Sequence, residues 1–94
     1  MKQFTLRADI KAVSPERFED MLRDLIGVNG FLRTDYGFRV STTMVGGSAA
    51  ELNRSFFAAL RRISKRITLR AGWTCDGRTE KFLNYMPTGS RVEQ

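Results

Sequence analysis

The chain has 94 residues, the size of one small domain, and it carries 16 Lys or Arg against 10 Asp or Glu, a net charge of +6. It has no histidine and a single cysteine, Cys75, which excludes an intrachain disulfide, the common zinc sites and a Cys–His or Ser–His nucleophile pair. The 41% hydrophobic and 28% charged content is typical of a globular protein and argues against disorder.

The first predicted elements are a strand and a helix. Residues 4–11 are apolar at even positions and polar at odd positions, which indicates a strand with one buried face. Ser14 is then a favourable N-cap, Pro15 fits the first helical position, and Gly27 or Gly30 can end the helix. The apolar stripe of this helix is predicted to be Phe18, Met21, Leu22 and Leu25.

Residues 31–44 are predicted to form two strands around the turn sequence Asp-Tyr-Gly at 35–37. A three-residue loop would pair Arg33 with Arg39 on one face and Leu32 with Val40 on the other. This register places Phe31 on the Arg33 face of the sheet.

A second helix is predicted within residues 46–66. Ser48 and Glu51 have the spacing of a capping box, in which each residue bonds a free N–H group of the first turn. Its apolar stripe is predicted to be Leu52, Phe56, Ala59, Leu60 and Ile63.

The last predicted element is a hairpin that turns at Asp76-Gly77, a strong two-residue turn signal. This turn pairs Cys75 with Arg78 and places Trp73 opposite Glu80. Pro87 ends the second strand, so residues 1–88 are predicted to form one domain and residues 89–94 a mobile tail.

The element order is therefore β-α-β-β-α-β-β. Because each helix has one apolar stripe and each strand one apolar face, we predict a two-layer α+β sandwich with both helices on one face of the sheet. The predicted sheet is antiparallel-rich and ferredoxin-like with one added strand.

The opposite sheet face, here called the open face, has no helix left in the sequence to cover it. It is predicted to present arginines and lysines between aromatic side chains, with Asp9 as the main opposing charge. Such a surface can contact phosphates and stack bases, so we predict a binding module for nucleic acid, either RNA or single strands. The predicted nucleic-acid-binding residues are Arg7, Arg33, Arg39, Arg70, Lys81, Tyr85 and Phe31.

Two other interpretations of the open face stay open. It could be an interface with another protein or with a second copy of the chain, because Phe31, Leu83 and Tyr85 are large for water-facing positions. It could also be a solvated face, on which long arginine stems cover apolar area.

A secondary basic patch is predicted at the end of the second helix, where cations also complement the helix dipole. We call it the α2 patch, and its residues are Arg61, Arg62, Lys65 and Arg66. No motif of the sequence indicates a catalytic site, a cofactor or a metal, so the chain is expected not to be an enzyme. The single cysteine and the absence of an apolar leader predict a reducing, cytoplasmic location without a membrane anchor.

Overall fold

Five strands and two helices form from the predicted segments, in the predicted order. The structure is a computed structural model and describes residues 1–85, except for the side chain of Tyr85. The elements are β1 (Lys2–Ala12), α1 (Glu19–Ile26), β2 (Phe31–Arg33), β3 (Gly37–Gly46), α2 (Ala49–Ile63), β4 (Ile67–Cys75) and β5 (Arg78–Tyr85), with short 3₁₀ turns at Pro15–Phe18 and Val28–Gly30. The predicted domain end at residue 88 and the predicted tail lie outside the described residues.

The strands form one antiparallel sheet in the order β2-β3-β1-β4-β5. Strand β1 is central, and its Ala8 lies opposite Val40 of β3 on one side and Ala71 of β4 on the other. The predicted α+β sandwich is confirmed. The five-strand order differs from that of a classic ferredoxin fold, so the ferredoxin-like part of the prediction is not confirmed.

The core lies between the helices and one face of the sheet. The apolar residues at the even positions of β1 are buried, as predicted, and Leu6 is wholly inaccessible to solvent. Trp73 of β4 packs edge-on against Phe56 of α2, with 6.4 Å between ring centroids. Leu22 of α1 joins the same cluster, so both helices cover one face. The shortest dimension of the molecule, 19 Å, agrees with one helix layer on one sheet layer.

A polar residue bridges the two layers inside this core. Asn53 of α2 is only 3% exposed, and its Oδ1 accepts a hydrogen bond from the Trp73 indole at 3.1 Å. Its Nδ2 donates to Oδ1 of Asn84 on β5 at 2.7 Å. Because a buried polar group without a partner is costly, this pair of bonds fixes the rotation of α2 above the sheet.

The first helix begins later than predicted. The chain makes a 3₁₀ turn over Pro15–Phe18, and the Ser14 side chain makes no capping bond. Within α1, Leu25 is 43% exposed and the half-buried Ile26, four residues after the buried Leu22, packs on the core in its place. Gly27 ends the helix with φ +81°.

The second helix begins as predicted. Glu51 donates its backbone N–H to Oγ of Ser48 at 3.1 Å, and its carboxylate accepts from the Gly47 N–H at 3.3 Å. The helix ends at Ile63, whereas the predicted segment extended to residue 66. The capping N–H of Ser64 bonds to the carbonyl of Leu60 at this end.

The predicted register is correct for one hairpin and wrong for the other. In β4–β5, Cys75 lies opposite Arg78, as predicted, and the turn residues Asp76 and Gly77 have φ of 53° and 78°. Positive φ at both central positions is the signature of a type I′ turn. In β2–β3 the predicted register is wrong by one residue, because the chain reverses through two residues rather than three.

Neither helix within residues 1–85 has the length and apolar character needed to cross a lipid bilayer.

Candidate functional site

The open face is built from the strand residues that point away from the helices. One row of neighbouring positions crosses all five strands, and Asp9 of β1 is at its centre. Arg39 and Arg70 flank Asp9 on the adjacent strands, while Leu32 and Leu83 are the outer members of the row. The two leucines are 70% and 48% exposed. The row therefore alternates apolar rim, cation, carboxylate, cation and apolar rim.

The rows on either side add three more cations. Arg7 of β1 has Gly72 as its neighbour on β4, and Lys81 of β5 lies beyond Gly72. Lys11 of β1 lies opposite Thr68 of β4. The described strand positions of the open face thus hold five cations and one carboxylate, a net charge of 5 − 1 = +4.

A shallow depression of about 510 Å³ lies in the middle of these charges. Gly72 is part of its floor, because the missing side chain leaves open space between Arg7 and Lys81. Polar side chains complete the lining, so an anionic group there would meet both charge and hydrogen-bond donors. The residues that line this Gly72 depression are Arg7, Ala8, Asp9, Arg39, Val40, Ser41, Arg70, Ala71, Gly72, Thr74, Thr79 and Lys81.

Only one of the five cations is held by an ion pair within residues 1–85. Nε of Arg39 lies 3.4 Å from Oδ1 of Asp9, and both side chains are more than half exposed. Exposed pairs of this kind contribute about 0–1 kcal/mol, so the pair does not lock Arg39. The remaining four open-face cations make no ion pair with the described part of the chain and are available to an anionic ligand.

Two predicted site residues do not lie on the open face, and their placement there was wrong. Phe31 pairs with Val40, and its half-buried ring packs edge-on against Phe38 at 5.5 Å. Arg33 holds its guanidinium 5.7 Å above the Phe38 ring and 3.6 Å from a carboxylate oxygen of Glu19 on α1. The one-residue change of register turned both side chains to the helix side, because alternate residues of a strand face opposite ways.

Five of the predicted site residues belong to strands at the open face. Arg7, Arg39, Arg70 and Lys81 are exposed there and surround the Gly72 depression. Tyr85 pairs with Thr68 at the end of β5, and its side chain lies outside the described residues.

The α2 patch has two residues on the last turn of α2 and two in the connection to β4, and none of them is at an open-face strand position. Arg61 and Arg62 are in the last turn of α2, and the Arg61 guanidinium lies 5.8 Å from the Phe57 ring centroid. Lys65 and Arg66 follow the end of the helix. All four are exposed, and the ion pairs among residues 1–85 include none of them.

Sequence reasoning missed three residues of this region. Leu32 occupies the open-face position that the predicted register gave to Arg33. Tyr36 is 73% exposed beside the open face, and Gly72 forms part of the floor of the depression. An aromatic residue in a hairpin turn was the available signal for Tyr36, since turns lie at the surface.

The surroundings of Cys75 disfavour its thiolate form. Partial burial, followed by the neighbouring carboxylate of Asp76, raises the pKa of the Cys75 thiol above its ordinary value of 9.0. The thiol is therefore protonated at neutral pH and is a weak nucleophile. Within residues 1–85, no group of three or more His, Cys, Asp or Glu side chains could hold a metal ion.

Comparison of the chain with family models, curated proteins and solved structures gave no match.

Proposed function

We propose that the protein is a non-catalytic module that binds nucleic acid, RNA or single strands, through the open face. The observation that carries this proposal is the concentration of five cations and one carboxylate on a sheet face that no described helix covers, with four of the cations lining the Gly72 depression. A surface of this kind attracts phosphates and leaves room for bases between the charges.

The spacing of the cations supports contact with several phosphates of one strand. Neighbouring strands are separated by roughly 4.8 Å, so Arg39 on β3 and Lys81 on β5 are about 14 Å apart across the sheet. Lys11 and Arg7 are separated by about 13 Å along β1 at 3.3 Å per residue. The cations thus cover an area wider than a single phosphate, and a chain of several nucleotides could contact them together.

The proposed site differs from the predicted one in its members but keeps five cations, and Phe31 is no longer part of it. Arg33 is removed because its side chain lies at the helix layer beside Glu19. Lys11 takes its place among the five cations, which also include Arg7 and Arg70. The proposed role of Tyr85 in stacking is unchanged as a prediction.

The proposal is tested by titrating fluorescently labelled oligonucleotides with the protein at several salt concentrations. Five phosphate contacts to a single strand give a slope of log K against log salt of about −3.5, from about −0.7 for each contact. Single- and double-stranded RNA and DNA of equal length are compared in the same buffer. No binding, or a slope near zero, would show that the open face is not a phosphate-binding surface.

A second candidate function is the docking of another protein chain on the open face. The exposed side chains of Leu32, Val45 and Leu83 favour it, because they surround the charges with apolar surface. A second copy of the chain would bring another +4 face against the first, which opposes self-association by charge repulsion. Sedimentation at increasing concentration tests the homodimer directly, and a persistent monomer would contradict it.

We also propose that the sheet is a ferredoxin-like arrangement extended by one strand. Strands β2, β3, β1 and β4 are consecutive neighbours in the sheet, and β5 pairs with the outer edge of β4 as the added strand. The two helices connect β1 to β2 and β3 to β4 across the same face. We further propose a reducing, cytoplasmic location on the evidence of the single cysteine.

A further inference from the structure

A second depression, of about 380 Å³, adjoins the Gly72 depression on the open face. The two share Asp9, Arg39 and Arg70, so a ligand lying across one reaches the other. The second depression differs in its chemistry, because the turn of the β2–β3 hairpin supplies its wall. That turn contributes Thr34, Asp35 and Tyr36 to the lining, whereas the Gly72 depression has no aromatic residue.

Tyr36 offers an accessible aromatic surface at the rim of this second depression. The residue is 73% exposed, although large aromatic side chains are usually buried. Three open-face cations, Lys11, Arg39 and Arg70, line the same depression, together with the carboxylate residue Asp9. An exposed ring beside phosphate-binding cations is the arrangement that proteins use to stack an unpaired base next to its own backbone.

The turn that carries Tyr36 is held firmly against β1. The carbonyl oxygen of Tyr36 accepts a hydrogen bond from the N–H of Ala12 at 2.9 Å, and the Thr34 N–H donates to the carbonyl of Gly37 at 2.9 Å. Gly37 permits this approach, since a Cβ atom at that position would overlap the carbonyl oxygen of Ile10. These contacts restrain the backbone of the turn, and such restraint lowers the entropic cost of binding.

We propose that the 34–36 turn is a subsite for one unpaired base, in which the Tyr36 ring stacks on the base and the Asp35 carboxylate accepts from its exocyclic amine. This inference rests on the proposed function. It adds that the protein recognises an unpaired base as well as phosphates. A carboxylate only accepts hydrogen bonds, so it suits cytosine, whose N4 amine is a donor. Thymine presents carbonyl oxygens on both sides of its single N–H and is repelled by the carboxylate. The subsite therefore favours oligo-dC over oligo-dT.

The decisive experiment compares three forms of the full chain: unaltered, Tyr36→Ala and Tyr36→Phe. Each is titrated against labelled oligo-dC and oligo-dT of equal length at several salt concentrations. Loss of a stacked base lowers affinity by about fivefold or more, so Tyr36→Ala should bind that much more weakly with its salt slope unchanged. Tyr36→Phe retains the aromatic face and should bind like the unaltered protein, which also shows that the turn tolerates substitution.

Asp35→Ala provides the second arm of the experiment. It should remove the preference for oligo-dC while retaining the salt slope, because it changes an acceptor and leaves every open-face cation in place. Thermal unfolding of each variant checks that the fold is retained.

The outcomes separate this inference from the proposed function. Binding with the expected salt slope, but with equal affinity for the unaltered protein and Tyr36→Ala, overturns the base subsite alone. No binding of any oligonucleotide by the unaltered protein overturns both. Equal binding of poly-glutamate of matched charge, independent of Tyr36, would point to an acidic protein as the ligand and would also overturn the subsite.

Discussion

Substitution of Gly72 by valine should block the open face without damaging the fold. A Cβ atom at this position would lie 3.6 Å from Cγ2 of Thr79 and 3.8 Å from the carbonyl oxygen of Arg7, both ordinary contact distances. Gly72 adopts no left-handed backbone conformation, so an L residue suits this backbone, and β-branched residues favour strands. Replacing a glycine inside a strand removes a destabilising residue, so Gly72→Val should retain or raise stability by about 0.5–1 kcal/mol.

The expected loss of affinity follows from the position of the new side chain. The valine methyl groups would rise from the floor of the Gly72 depression between Arg7 and Lys81, and would obstruct the phosphate contacts of both. At 0.1 M salt each lost contact reduces affinity by about fivefold, so two lost contacts give about 25-fold. The magnitude of the salt slope should fall from about 3.5 to about 2.1.

The assay is the salt-dependent oligonucleotide titration, together with urea unfolding. Thr43→Val is the matched control, because Thr43 is an exposed β3 position on the open face that does not line the depression. It introduces the same side chain to the same sheet face and should leave both affinity and slope unchanged. Phosphate binding in the Gly72 depression is excluded if Gly72→Val is stably folded and binds with the affinity and slope of the unaltered chain.

Three further predictions concern charge, core polarity and the thiol. Asp9→Asn removes the carboxylate from the open face and should raise oligonucleotide affinity by about fivefold at 0.1 M salt, whereas Asp24→Asn on α1 makes the same change of net charge and should not. Asn53→Ala leaves the buried Trp73 indole without its acceptor and should lower the free energy of unfolding by about 2–3 kcal/mol, measured by urea denaturation. The raised pKa of Cys75 means less thiolate at a given pH, so alkylation should reach half its maximal rate above pH 9.0.

Each of these predictions has an outcome that contradicts it. Equal gains in affinity for Asp9→Asn and Asp24→Asn would mean that net charge, rather than the open face, controls binding. For Asn53, the double variant with Trp73→Phe should recover part of the loss, because it removes the unpaired donor; full additivity of the two losses would exclude the proposed coupling. Half-maximal alkylation of Cys75 below pH 9.0 would mean that the thiol is activated.

The β4–β5 hairpin could be predicted to the residue because its turn is chemically specific. Asp76-Gly77 accommodates positive φ at both positions, which fixes a two-residue loop and therefore every cross-strand pair. The Asp-Tyr-Gly sequence at 35–37 does not determine loop length in this way, since a two- or a three-residue reversal suits it. Because the loop length was ambiguous, the predicted register placed Phe31 and Arg33 on the wrong face. It also failed to place Leu32 on the open face.

The hydrogen bonds of Asn53 in the core and the two depressions of the open face could not be predicted from the sequence. Both depend on contacts between elements that are distant in the chain. Asn53 lies within the apolar side of α2, and only the packing of α2 on β4 and β5 brings it to Trp73 and Asn84. Gly72 becomes important because Arg7 and Lys81 lie on either side of it. The alternation of polar and apolar residues correctly predicts that Arg7 and Lys81 lie on the open face. It contains no information on the space between them.

The most direct test of the central claim compares two double variants of equal net charge in the oligonucleotide salt titration. Arg70→Gln with Lys81→Gln removes two open-face cations, and Arg61→Gln with Arg62→Gln removes two from the α2 patch. If nucleic acid binds through the open face, the first pair reduces the magnitude of the slope by about 1.4, while the second leaves most of it unchanged. Equal reductions, or a larger loss from the α2 pair, would contradict binding through the open face.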